Sequence, residues 1–193
     1  MNFHEGDTVM HWTYGLGQIV RLEERAVSGP KTLYYAVQVG DMTVWVPADE
    51  KLGSRLRSPT SESGFKKLLA ILSGPGEPLP DDRNARRAHL LELLRAGNAE
   101  SLCKIIRDLS ASAKKNDNDL SLLKQAQNTL LGEWGFVLSI THAQAALEMH
   151  RLLASGTTEI QERHDSGRKA VHRLNVKPER GSDNQINLLP IDK

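Results

Sequence analysis

The chain has 193 residues, 39% of them hydrophobic, and its 25 Lys and Arg nearly cancel its 24 Asp and Glu. That apolar content can bury a core in one domain or two small ones, while the near-neutral charge excludes a protein that holds nucleic acid or membrane by bulk basic charge alone. Cys103 is the one cysteine, which excludes an intramolecular disulfide and a zinc site built from thiolates.

The opening MNFHEGDTV places acids and a glycine where a secretory leader needs an apolar run. No segment approaches the roughly 20 apolar residues that cross a bilayer, so a cytoplasmic location without a membrane partner is expected. Residues 1–58 read as β. Thr8–Trp12, Gln18–Leu22, Leu33–Val39 and Thr43–Pro47 are short runs rich in β-branched and aromatic residues. They are separated by the turn signals Gly6-Asp7, Tyr14-Gly15, Ser28-Gly29-Pro30 and Gly40-Asp41. Strands this short and this close fit a small, strongly bent barrel better than a flat sheet with long unprotected edges. Within MHWTYGLGQIV, residues 10–20, Gly15 and Gly17 are expected to let the chain reverse between the first two strands, and Trp12 to pack the barrel.

The period then becomes helical, with Phe65, Leu68, Leu69 and Leu72 following Gly64. Ser73–Pro80, with three prolines and two glycines, breaks it as a linker. Helices are expected over Asp82–Ala96, ending at Gly97, and after Asn98, with Leu102, Ile105, Ile106 and Leu109 on one stripe. A third covers Leu120–Leu138, and a last opens on the capping-box pattern Thr141-x-x-Gln144. After Gly156 the apolar stripe fails. The fold class is therefore α+β, β then α: a small five-stranded β-barrel at 1–58, a helix and Pro/Gly-rich linker at 59–80, a compact all-α domain at 81–156, and a mostly disordered tail at 157–193.

Chemistry-bearing patterns are scarce. The seven histidines have no metal-ligand spacing, and His142 and His150 are eight apart. Gly15-Leu16-Gly17 lacks the third glycine and the helix of a dinucleotide fingerprint, and Glu23 and Glu24, adjacent on a strand, point to opposite faces. No enzyme activity, cofactor, metal or small-molecule substrate is expected. Basic residues say more. Arg83, Arg86 and Arg87 fall at i, i+3 and i+4 on one helix face, Lys114 and Lys115 end the next helix, and Lys124 lies on the third. These are either solvated faces, with Lys114 and Lys115 complementing a helix C-terminus, or a phosphate-contacting patch that binds weakly unless another site tethers it. The aromatics also have two readings: barrel core, or a cation cage made by Trp12, Tyr14 and Tyr35. Val44-Trp45-Val46 sets three apolar residues in a row, so an edge position would expose one face for pairing with another chain's strand.

Phe3-x-x-Gly6-Asp7-x-Val9 followed by Tyr14-Gly15-x-Gly17-x-Ile19 resembles the opening of the CarD/CdnL family of bacterial transcription regulators, shared with the RNA-polymerase-interacting module of transcription-repair coupling factor. Tyr35, Thr43-Val44-Trp45-Val46-Pro47-Ala48 and Gly53-x-Arg55 extend the likeness. So do Ala96-Gly97-Asn98, Ile105-Ile106-Arg107-Asp108-Leu109 and Ala126-x-x-x-Leu130-Leu131-Gly132-Glu133, over about residues 1–154. The resemblance implies a Tudor-like first domain that binds the RNA polymerase β subunit through a strand edge, with Arg25 and Thr43, Val44, Trp45, Val46 and Pro47 as contacts. It also implies a nucleoid-associated protein whose helical domain contacts promoter DNA through Arg86 and neighbouring basic residues and modulates open-complex stability, tethering supplying the effective concentration. Two positions depart from the family: Trp45 stands where an arginine is common, and Arg83 stands where the family has its DNA-wedging tryptophan. The alternative is a protein-only adaptor that binds polymerase and recruits another protein.

Overall fold

The structure, a computed structural model, describes residues 2–26 and 30–156; the expected tail at 157–193 lies outside the described residues. Strand β1 (Thr8–His11), β2 (Gly15–Arg25), β3 (Thr32–Val39), β4 (Met42–Pro47) and the two-residue β5 (Leu56–Arg57), which follows the short helix α1 (Leu52–Arg55), form one antiparallel sheet. Its order is β4-β3-β2-β1-β5, so β4 and β5 are its ends. The core face carries Val9, Ile19, Tyr35, Val37 and Val46, closed by Phe3, Leu52 and Leu56. A register shift between Ile19 and Arg21 leaves Val20 unpaired opposite β3, and such a bulge bends the strand and increases its twist.

The two glycines of the opening stretch have different jobs. Gly15 ends the turn at φ 80°, a left-handed conformation that glycine adopts without penalty. Gly17 lies within β2 and does not turn the chain: a Cβ there would sit 2.8 Å from the Gln38 carbonyl and from Val39 Cγ2. Close backbone approach, not reversal, requires it.

Helices follow in the expected order: α2 (Glu62–Leu72), α3 (Arg83–Ala96), α4 (Ala99–Ala111), α5 (Asp117–Leu138) and α6 over 142–156. Each start is explained by a cap. Asp82 accepts from the Asn84 and Ala85 N–H groups, Asn98 from Ser101, and Asn116 and Asp119 form a reciprocal capping box. Gly97 closes α3 at φ 63°. Phe65 of α2 packs on Trp134 of α5, ring centroids 5.8 Å apart, inside a core that includes Ile105, Ile106, Leu109 and Leu130. Cys103 is fully buried there, and burial, with Glu133 and Glu100 adding to it, pushes its thiol pKa up to about 12, a small inert hydrophobe. The proline-rich segment after α2 is strapped to α4. The Glu77 N–H donates to Asp108 at 2.8 Å, Arg107 pairs with both Glu77 and Asp108, and a Cβ on Gly76 would collide with the Ala111 methyl.

Sheet and helices meet at the β1–β5 end. Arg57 of β5 forms a bidentate pair with the buried Glu133 of α5, both contacts 2.7 Å, and donates through Nε to the Gly97 carbonyl. Thr60 adds its N–H and hydroxyl to the same carboxylate. Burial opposes ionisation of Glu133, but Arg57 and Thr60 outweigh it and hold the carboxyl below its ordinary range.

Candidate functional site

The far end of the sheet, strand β4, is built differently. One side of β4 pairs with β3; the other has no strand among the described residues. Val39 and Met42 face each other across the two-residue turn Gly40-Asp41, so pairing alternates from there and directs the backbone of Thr43 and Trp45 to the open edge. Side chains alternate as well. Val46 is 1% exposed in the sheet core, and Val44 packs half-buried against the same core. A period of two turns both side chains inward, so what these two residues of the expected contact strand can offer a partner is backbone. Thr43, Trp45 and Pro47 occupy the opposite face.

On that face Trp45 is cross-strand to Ala36 and Arg21, with Arg25 further along β2. The Arg25 guanidinium lies 3.8 Å from the Trp45 ring centroid and that of Arg21 lies 5.4 Å away. Glu23 accepts from Arg21 Nε at 2.6 Å and lies 3.7 Å from Arg25 Nε. A flat aromatic flanked by two cations is thus held beside an open backbone edge, the stack stabilised by the attraction of guanidinium for a ring face. Arg25 and Trp45 are brought together as expected; Arg21 and Glu23 complete the group, and only the sheet register could have shown it.

Residues 3–57 match the CarD-like/TRCF RID domain. The chain carries a CarD-like, RNA-polymerase-interacting domain. The match begins at the residue whose N–H donates to the Tyr35 hydroxyl, Phe3, and ends at Arg57, so it spans the whole sheet with α1 and stops before α2. It includes the β4 edge and its Arg25–Trp45 stack.

Of the basic residues outside the CarD-like domain, the structure divides those that spacing grouped. Arg86 turns inward. Its side chain is 11% exposed, its Nη2 is 3.0 Å from Asp119, and it donates to the Ser112 hydroxyl and the Lys114 carbonyl. Arg86, expected as a DNA contact, is thus engaged within the fold, where it ties α3 to the start of α5. Lys115 is also engaged, donating to the Ser110 and Ser112 carbonyls at the end of α4, the C-terminal complement of the blander reading. Lys114 is exposed. Arg83, Arg87 and Lys124 are exposed and make no ion pair among the described residues.

These three cations line two adjoining cavities. One, of about 470 Å³, lies between α3 and α5, with Arg83 and Arg87 above a floor of Leu90, Leu94 and Leu122. The other, of about 600 Å³, lies between the β1–β2 turn and α5 and is lined by Tyr14, Lys124 and Asn128. Ser121 and Gln125 line both, so the cavities are neighbours. The Gln125 amide donates to the Thr13 carbonyl at 3.3 Å, fixing the turn against α5.

The turn is organised by His11, a residue that sequence spacing passed over. Buried between β1 and the turn, its Nδ1 accepts from the Thr13 and Tyr14 N–H groups at 3.1 and 3.2 Å. Burial lowers its pKa, consistent with a neutral acceptor. Trp12 and Tyr14 flank it, 37% and 50% exposed. Trp12 thus sits over α3 beside Gly97 and not inside the sheet core, correcting its expected place. The cage of Trp12, Tyr14 and Tyr35 does not assemble, because Tyr35 is buried on the core face, edge-on to Phe3 at 6.0 Å. No helix among the described residues is long and apolar enough to cross a membrane.

Proposed function

We propose that this chain is a transcription regulator whose CarD-like domain binds the β subunit of RNA polymerase by adding β4 to a strand of that subunit, while Arg83, Arg87 and Lys124 contact promoter DNA. The observation that carries the reading is the open β4 edge beside the Arg25–Trp45 stack, within a domain of a polymerase-interacting family. Strand addition recruits backbone hydrogen bonds, and Arg25, Trp45 and Pro47 supply side-chain specificity on the adjacent face. An apolar ring at position 45 favours packing over a charge pair there, with Arg21 and Arg25 supplying the positive flank.

Promoter contact rests on cations left unpaired by the fold. Three are too few for tight binding by a nearly neutral chain, so tethering by polymerase raises the local DNA concentration. A pull-down against the isolated β-subunit lobe tests the first half. Wild type is retained and Thr43→Pro is lost, because proline removes the outward N–H without entering the core; retention of Thr43→Pro would overturn strand addition. Open-complex lifetime with polymerase present tests the second half: Arg83→Ala with Arg87→Ala shortens it, and an unchanged lifetime removes the DNA role in favour of the adaptor.

A further inference from the structure

Resting on the promoter-contact reading above, we infer that the neighbouring cavities lined by Arg83, Arg87 and Tyr14 bind single-stranded DNA, with Tyr14 as the stacking platform for an unpaired base.

The charge of the trough selects an anion. Arg83, Arg87 and Lys124 have no ion-pair partner among the described residues. Asp119 is the one carboxylate on either lining, and Arg86 neutralises it at 3.0 Å. Arg83 and Arg87 are one helical turn apart, about 6 Å along α3, so they address successive positions on an anionic chain instead of clamping one group.

The rest of the lining selects a nucleic acid over an acidic peptide. Tyr14 is half exposed at the mouth of the second cavity. Its ring is held 5.0 Å from the His11 ring, and its backbone N–H is fixed by His11 Nδ1. An anchored aromatic face suits a base, and the amides of Asn84, Asn118 and Asn128 line the same trough with donors and acceptors for base edges. A paired base shows neither face, since its neighbours cover both. Stacking on Tyr14 therefore requires an unpaired strand. Arg83, at the rim, serves the backbone, and the stacking aromatic comes instead from the β1–β2 turn.

The test uses the full chain at low salt and follows the fluorescence anisotropy of a labelled thymine oligonucleotide and of a duplex of equal length. Tyr14→Ala, Tyr14→Phe and the Arg83→Ala/Arg87→Ala pair are compared, with a polymerase pull-down on every variant. The expected result is tighter binding of the single strand than of the duplex. Tyr14→Ala weakens it about tenfold and Tyr14→Phe restores it, while the arginine pair weakens it and flattens its salt dependence. Equal affinity for duplex and strand, with Tyr14→Ala silent, overturns the inference and leaves promoter contact standing. Displacement of the oligonucleotide by polyglutamate at equal charge concentration overturns it in favour of an acidic protein partner. Failure to bind either DNA, in a chain that polymerase still retains, overturns both the inference and direct promoter contact.

Discussion

The two ends of the sheet differ in what they leave unsatisfied. At the β5 end, Arg57 and Thr60 donate to the Glu133 carboxylate of α5, Arg57 also reaches the Gly97 carbonyl that closes α3, and the carboxylate is sealed from solvent. At the β4 end, the backbone edge is open and the aromatic beside it is stacked between two exposed cations. A closed edge fixes geometry; an open one invites a partner. The difference shows how one small sheet can be tied to the helices at one end and keep an unpaired backbone edge at the other.

The strongest way to break the comparison is at the closed end. Glu133→Ala strands Arg57 and removes the acceptor of Thr60, and is expected to cost about 3–5 kcal/mol in urea denaturation; an unchanged midpoint would show that the pair does not join the two regions. At the open end two substitutions on one strand separate fold from function. Val46→Glu puts a carboxylate into the sheet core and should cost more than about 3 kcal/mol. Thr43→Pro, by contrast, should cost about 1 kcal/mol or less while abolishing retention by the β-subunit lobe.

The helical surface repeats the contrast on a single turn. Arg86→Ala leaves the buried Asp119 unpaired and should lower stability by about 2–3 kcal/mol, whereas Arg87→Ala leaves the denaturation curve in place and changes only DNA-dependent readouts. Equal stability losses would erase the distinction between inward and outward arginines. The smallest effect is pH dependence at the turn. Because the folded pKa of His11 is lowered, its stabilising contribution is present above the ordinary histidine value of about 6.5 and is lost as pH falls through the lowered folded value. The stability gap between wild type and His11→Gln should narrow on acidification, and a widening gap would contradict a neutral acceptor.

Local rules made much of this molecule legible before folding. Strand runs separated by Gly-containing turns, helix caps at Asp82, Asn98 and Thr141, and the apolar stripe of α4 each depend on residues a few positions apart, and the structure places them as expected. The resemblance named Arg25 and Trp45, but their grouping with Arg21 depends on the β2–β3–β4 register. The inward turn of Val46 was not legible, because three apolar residues in a row do not reveal which face is core. The inward pairing of Arg86 was not legible, because helical spacing predicts a shared face and is blind to Asp119, which lies on another helix, 33 positions away.

By itself, then, the sequence determined the order β then α and the helix ends, because propensity, capping and turn chemistry are local and additive along the chain. Only the tertiary structure decided which charges remain free. Burial and pairing depend on what packs across from each side chain, and those partners come from distant elements: Glu133 takes Arg57, Asp119 takes Arg86, and Arg83, Arg87 and Lys124 are left facing outward.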